Sequence, residues 1–171
     1  FNHFFSLDLK MIIIIILILF FIFTFLLPIN ISKKNSIFFT ILAIFIGYLP
    51  ILVDATETHL HNPNWSSHAR LHLAWLLSTN FIITTFAILL CWIKNLKIIS
   101  LIILFSILGG YYFSIFTRHL YGGTINEPGG VEDTIMGVEA GIFFFTSLTF
   151  FWIINFLSVY FFEFRNKRKQ T

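Results

Sequence analysis

Histidine and carboxylate side chains are concentrated in one short stretch of this chain, between Asp54 and His72. The stretch contains four of the six histidines, two carboxylates and one arginine, and apolar residues surround it on both sides. Ionisable groups are costly to keep beside a lipid bilayer, so their presence there is typical of a functional site. We therefore expect the chemistry of this protein to lie in this histidine stretch.

His68 and His72 are four residues apart, so on a helix their rings lie on one face. Two imidazoles at this spacing form half of a common helical metal site. The Asn-Pro-Asn-Trp sequence of Asn62–Trp65 predicts a tight turn, which would bring His59 back toward the pair. We expect these three histidines to be the protein ligands of a transition metal.

Two carboxylates precede the histidines, and Asp54 and Glu57 lie one helical turn apart at the end of the second apolar segment. Either carboxylate is expected to be a fourth ligand or the acceptor that fixes a ring tautomer. Mixed histidine and carboxylate ligands suit zinc, copper or iron. The alternative is an interfacial role, in which His61 and the other histidines contact headgroups or water and Arg70 extends its charge to the membrane surface.

Three further polar groups are predicted at the same membrane depth as the histidine stretch: Arg118, His119 and Glu139. A carboxylate inside a span must be protonated, paired or bound to a cation. We expect Glu139 to lie just inside the fifth helix, facing the bundle interior, and to pair with one of the other two groups or with the histidine stretch. A structural ion pair between Arg118 and Glu139 is an equally good interpretation.

The rest of the chain predicts an all-α, single-domain membrane bundle over residues 1–171. Its composition is 57% hydrophobic and only 11% charged, with 24 phenylalanines. A bilayer core of about 30 Å needs roughly 17–25 apolar residues, and backbone polar groups in lipid must be satisfied within a helix. Five transmembrane helices are predicted, at residues 11–27, 37–53, 71–93, 98–116 and 135–162.

Lysines and arginines indicate the orientation of these spans. They fall at alternate connections and in the tail: Lys33, Lys34, Lys94, Lys97 and the cluster that begins at Arg165. The positive-inside rule makes this side cytoplasmic, which places the N-terminus and the histidine stretch outside and the C-terminus inside. The sequence thus predicts an integral protein of a bacterial inner (plasma) membrane that contacts lipids. The net charge of +3 comes mainly from the tail and does not indicate nucleic-acid binding.

The residues Thr58–His72 resemble the signature of an uncharacterised family of small polytopic membrane proteins, T-H-x-x-N-P-x-W-P-P-H-A-[RK]-F-H. In this chain Ser66 and Ser67 replace the paired prolines and Leu71 replaces the phenylalanine, while His61 lies outside the motif. The motif histidines that match are His59, His68 and His72. The resemblance implies a polytopic membrane protein with an extracytoplasmic motif, and it implies no activity.

Three hypotheses for function remain open, and whether the protein is an enzyme is undecided among them. The first is a membrane enzyme or metal-binding protein that acts on or binds a lipophilic ligand. The second is an accessory subunit of a larger membrane complex, in which the polar stretch is a hydrogen-bonded contact. The third is a metal-free bundle, similar to a sterol isomerase, that uses Glu139 and a histidine for acid–base chemistry.

Overall fold

The computed structural model describes residues 12, 15, 16, 18–93, 96–125, 134, 135 and 137–165, with side chains described as far as residue 162. These residues form five helices and one short hairpin. The elements are α1 (residues 12–26 where described), α2 (Ile31–Asp54), α3 (Ser67–Trp92), α4 (Lys97–Leu120, 3₁₀ from Arg118), β1 (Thr134–Ile135), β2 (Val138–Glu139) and α5 (Ala140–Ser158, continuing as a π-helix over Val159–Arg165).

Four of these helices are long and apolar enough to cross a membrane. They are Ile31–Asp54, Ser67–Trp92, Lys97–Leu120 and Ala140–Phe162. They correspond to the second to fifth predicted segments, so the predicted helices are confirmed there, and these four have the length and composition that a membrane span needs. Large apolar side chains on their outer faces are exposed, as expected of helices that contact lipid.

Two helices begin earlier than the hydrophobic pattern predicted, because polar residues cap and fill their first turns. Helix α2 begins at Ile31 instead of residue 37, and the Asn30 side chain accepts a hydrogen bond from the Lys33 amide at 2.9 Å. Helix α3 begins at Ser67 instead of residue 71, and Ser66 Oγ accepts from the Ala69 amide at 3.2 Å. Asn and Ser are favoured at this position because they satisfy amides that the helix leaves free.

The fifth helix begins later than predicted, at Ala140 instead of residue 135. Residues before it form an antiparallel hairpin in which Thr134 pairs with Glu139 and Ile135 pairs with Val138. Gly137 makes the turn possible, because it adopts φ +78°, a conformation that side chains with a Cβ rarely tolerate. Glu139 therefore precedes the helix and does not lie inside it, which corrects the prediction.

Helix α2 contains a π turn at Ile44–Tyr48, which ends two residues before Pro50. The Leu49 amide donates to the Ile44 carbonyl five residues back, and Pro50 has no amide hydrogen to donate. Gly47 lies in this turn, and a Cβ added there would be 1.8 Å from Thr84 Oγ1 of α3. The absence of a side chain at Gly47 therefore allows α2 and α3 to approach closely.

Contacts between helices define the two ends of the bundle. Three hydrogen bonds join the first turns of α2 to its neighbours: Ser36 Oγ to the Cys91 carbonyl at 3.3 Å, Lys97 Nζ to the Ser32 carbonyl at 2.6 Å, and Ser158 Oγ to Asn35 Oδ1 at 2.8 Å. The starts of α2 and α4 and the ends of α3 and α5 thus share one end, the lysine end. The opposite end, the histidine end, carries the loop from Ala55 to Ser66 and the start of α5.

Helix α1 packs on the outside of this bundle and runs antiparallel to α2. The Phe21 ring contacts Phe38 and Phe151, with centroid separations of 5.1 and 5.8 Å. Near the lysine end, Lys34 Nζ donates to the Phe25 carbonyl at 2.6 Å. The core itself is apolar and contains the fully buried leucines of α2, α4 and α5, namely Leu42, Leu101, Leu104, Leu108 and Leu148.

Candidate functional site

The loop between α2 and α3 is closed by its own hydrogen bonds. The Leu60 amide donates to the Asp54 carbonyl at 3.0 Å, and the Asn62 side chain donates to the Thr58 carbonyl at 3.0 Å. The Trp65 amide donates to the Asn62 carbonyl at 3.2 Å, which closes the turn that the Asn-Pro-Asn-Trp sequence predicted. Local hydrogen bonds therefore order the loop.

His59 is held inside this loop. Its Nδ1 atom lies 2.8 Å from Thr58 Oγ1, and its half-buried ring meets the Trp65 ring edge to face at a centroid separation of 5.9 Å. Both contacts lie within the loop and none involves α3. His59 thus helps to fix the loop, and its role as a metal ligand stays a prediction.

His68 and His72 lie together on the first turns of α3. Their Nε2 atoms are 3.0 Å apart and their rings are nearly perpendicular, with centroids 4.5 Å apart. The His72 ring also stacks on Trp75 at 6.0 Å. The prediction that the i, i+4 spacing brings these two imidazoles together on one face is consistent with this geometry.

The histidine pair faces away from the bundle. Helix α3 packs inward through Leu77, Thr84 and Cys91. Leu77 is nine positions after His68, and at about 100° per residue the two side chains point in directions about 180° apart. His72 is exposed on the same side, and Trp75 is 64% exposed. The pair and this tryptophan therefore form an outward-facing surface.

The predicted metal centre is not assembled in this structure. Among the described residues, no three His, Cys, Asp or Glu side chains form a group that could hold a metal ion. His59 turns toward Trp65 within the loop, whereas His68 and His72 point outward from α3. The remaining candidates stay in or beside the loop: Asp54 ends α2, while Glu57 and His61 are exposed loop residues. Arg70 is half-buried on the first turn of α3.

Glu139 acts as the N-cap of α5. Its Oε2 atom accepts a hydrogen bond from the Ile142 amide at 2.8 Å. The Tyr111 hydroxyl lies near the carboxylate. A Cβ built on Gly141 would be 3.5 Å from the Tyr111 hydroxyl and 3.2 and 3.3 Å from the two carboxylate oxygens of Glu139. The half-buried carboxylate therefore has a partner, as expected, but the partner is a backbone amide of its own helix.

Arg118 does not reach Glu139. Helix α4 ends in a 3₁₀ turn at Arg118–Leu120, and Arg118 Nη1 donates to the Ile115 carbonyl at 2.6 Å. A cation at the end of one helix and a carboxylate at the start of the next are each favoured by the local helix dipole. Each charge is thus stabilised by its own helix terminus, which replaces the predicted ion pair. His119 is exposed in the same 3₁₀ turn. In the sequence, Glu132 and Asp133 precede α5, and acidic residues at that position favour a helix start through its dipole, but both lie outside the described residues.

A second polar cluster lies at the lysine end, and the sequence analysis did not identify it. Lys97 is only 8% exposed and donates to the carbonyl of Ser32. Asn155 Nδ2 donates to the Asn35 carbonyl at 3.2 Å, and the buried Asn155 Oδ1 atom makes no hydrogen bond to a described residue. The isolated Asn155 in the otherwise apolar sequence of α5 could have predicted this cluster.

No protein-family model, curated protein or solved structure matches this chain. The resemblance of Thr58–His72 to a family signature therefore stays a prediction. Function must be inferred from the geometry at the two ends of the bundle.

Proposed function

We propose that this protein is an integral membrane protein with five spans and an extracytoplasmic histidine end. The described part of α1 supports the fifth span, because it is apolar and packs antiparallel to α2 on the outside of the bundle. Its side chains Leu19, Phe23 and Leu26 are exposed to the surroundings, as is typical of a helix that contacts lipid. The lysines and arginines of the opposite end support a cytoplasmic location for that end.

The proposed role is that of an accessory subunit in a larger membrane complex. Its contact surface would be the histidine face, which comprises His68, Leu71, His72 and Trp75 on the outer side of α3. The observation that carries this proposal is the imidazole pair that points away from its own bundle. A self-contained catalytic centre would instead direct such side chains inward, toward a shared site.

The position of the histidine face near the membrane boundary supports a contact with another protein. Helix α3 has 26 residues and is about 39 Å long, which exceeds the bilayer core of about 30 Å. If the helix is centred, about three residues at each end extend beyond the hydrocarbon, and His72 lies close to its boundary. A polar side chain there is costly against acyl chains, and a polar group of a neighbouring membrane protein would offset that cost.

The two alternative functions receive less support from the geometry. The metal-dependent enzyme was predicted to use His59 together with the pair on α3, and His59 is bound within its own loop. The sterol-isomerase-like bundle requires a histidine next to Glu139, and the carboxylate caps α5 instead. A docking role requires no rearrangement, because His68 and His72 already point outward from α3.

Photo-crosslinking in native membranes tests the accessory role. A photoreactive amino acid at Leu71, which is 64% exposed, is compared with one at Phe116, which is 74% exposed at a similar depth on α4. We expect a protein adduct of defined mass at Leu71 and only lipid adducts at Phe116.

The adduct at Leu71 should disappear when His68 and His72 are both replaced by Gln. It should persist in His61→Gln, which removes an exposed loop histidine outside the histidine face. Lipid adducts alone at both positions, or a protein adduct that does not depend on the two histidines, would contradict the proposal.

A further inference from the structure

The histidine pair has the arrangement of a bidentate metal chelate. Both rings are exposed, and their Nε2 atoms share a hydrogen bond of 3.0 Å. One Nε2 carries a proton in this arrangement, and that proton must move to Nδ1 before the pair can bind a metal. The Nδ1 atom of neither ring bonds to a described residue, so each Nδ1 is free to carry the ring proton. Both Nε2 lone pairs are then available to a single ion, which needs neutral imidazole nitrogen as its ligand.

The two nitrogens need to move little to become neighbouring ligands of one metal ion. With metal–nitrogen bonds of 2.0–2.1 Å, nitrogens 3.0 Å apart subtend an angle of about 94° at the ion. A tetrahedral ion such as zinc requires a nitrogen separation of about 3.3 Å at the same bond length. An angle close to 90° is that of neighbouring ligands in a square-planar or tetragonal ion, the geometry preferred by Cu(II) and Ni(II).

We propose that His68 and His72 form a two-histidine chelate for Cu(II). Copper is favoured over nickel because the stability of divalent complexes with nitrogen ligands is greatest at copper. Water fills the remaining positions in the isolated protein, and these positions face away from the bundle. The chelate differs from the predicted three-ligand centre because it needs no residue of the loop. It is a property of the isolated chain and does not depend on a docking partner.

Trp75 provides an internal reporter for this site. Its ring stacks on His72 at 6.0 Å, so Cu(II) bound at the pair lies next to one of the four tryptophans of the chain. Bound Cu(II) quenches nearby tryptophan fluorescence. Titration should therefore remove part of the emission in the unmodified chain and much less in Trp75→Phe.

The test is a titration of the purified chain of residues 1–171, without an affinity tag, with Cu(II) alone. All proteins carry His3→Gln, so that this histidine does not compete for the metal. We expect one Cu(II) per chain, with electron paramagnetic resonance showing coupling to two imidazole nitrogens. Each of His68→Gln and His72→Gln should weaken binding at least about tenfold, because one ring can no longer support the other.

Two controls separate the chelate from general binding to histidines. His61→Gln and His119→Gln remove exposed histidines that are not in the pair, and both should retain the affinity and the spectrum. The double variant Ala69→His/His72→Gln keeps two exposed histidines on α3 but places them next to each other in sequence, where their rings diverge, and it should lose the two-nitrogen spectrum. Equal losses in the pair variants and in His61→Gln would overturn the proposal, as would a three-nitrogen spectrum that depends on His59.

Discussion

Replacing Gly47 by Ala should destabilise the bundle, because α3 occupies the space where the new side chain would stand. The added Cβ would lie 1.8 Å from Thr84 Oγ1 and 2.7 Å from Thr84 Cβ. Rotation of the threonine side chain moves its Oγ1 but leaves its Cβ in place. The clash is therefore relieved only when the backbones of α2 and α3 move apart.

The expected loss in the free energy of unfolding is about 2 kcal/mol, within the range of roughly 1–3 kcal/mol for inserting a methyl group into a packed core. The intrinsic helix propensity of Ala offsets part of this loss, since Ala is favoured over Gly by about 1 kcal/mol. Packing dominates because helix association in a membrane depends on close van der Waals contact. Replacing Thr84 by Gly in the same protein removes the obstructing Cβ, and we expect this double variant to be more stable than the sum of its single changes.

Thermal or denaturant unfolding in detergent micelles, followed by tryptophan fluorescence, measures this loss. The matched control is Gly110→Ala in α4, because a Cβ at Gly110 has no atom within 4 Å. We expect Gly110→Ala to be neutral or slightly stabilising. Equal stability of the Gly47 and Gly110 variants would refute the close crossing of α2 and α3.

Three further predictions concern polar groups inside the bundle and at the start of α5. Replacing Glu139 by Ala should lower the free energy of unfolding by about 1 kcal/mol, because it removes the N-cap of α5, whereas Asp at this position should retain most of the stability in the same assay. Ser158→Ala should cost about 1 kcal/mol through loss of the hydrogen bond to Asn35, with Ser114→Ala on the exposed face of α4 as the neutral comparison. Thr84→Val should stabilise the protein by about 1 kcal/mol, because the buried hydroxyl bonds to no described residue; a loss of stability would mean that it has a partner.

The spanning helices were predictable because their apolar runs are long and few charges interrupt them. Their starts were not, because hydropathy treats Asn30 and Ser66 as breaks in an apolar run, whereas both act as helix caps. The start of α5 required knowledge that Gly137 adopts a left-handed conformation and closes a hairpin. Side-chain caps and a glycine turn therefore set the helix starts, which the apolar pattern does not determine.

The sequence indicated that glycines allow helices to pack closely, but it did not indicate which glycine does so. The pair Gly109 and Gly110 predicts tight packing or a kink in α4, yet Cβ atoms there would meet at most one neighbouring atom, at 3.8 Å. The close crossing occurs at Gly47, a single glycine in α2. Which glycine contacts another helix depends on the rotation of each helix in the bundle, and no local pattern determines that rotation.

At the candidate site, the spacing of His68 and His72 correctly predicted a pair on one helical face, because helix periodicity determines it. The position of His59 depended instead on hydrogen bonds within the loop, which direct its ring to Trp65. Glu139 was expected to need a distant partner, and the first turn of its own helix supplied one. Contacts set by helix geometry were therefore predictable, whereas contacts set by loop conformation were not.

The location of the histidine end outside the cytoplasm is tested most directly by labelling cysteines introduced one at a time, in intact bacterial cells, with a membrane-impermeant maleimide. Native Cys91 is buried, and the unmodified chain serves as the blank. We expect Asn64→Cys and Asn2→Cys to react in intact cells, and Lys33→Cys to react only after the membrane is permeabilised. Reaction of Asn2→Cys and Asn64→Cys from opposite sides would contradict the five-span topology, and protection of Asn64→Cys in intact cells would contradict an extracytoplasmic histidine face.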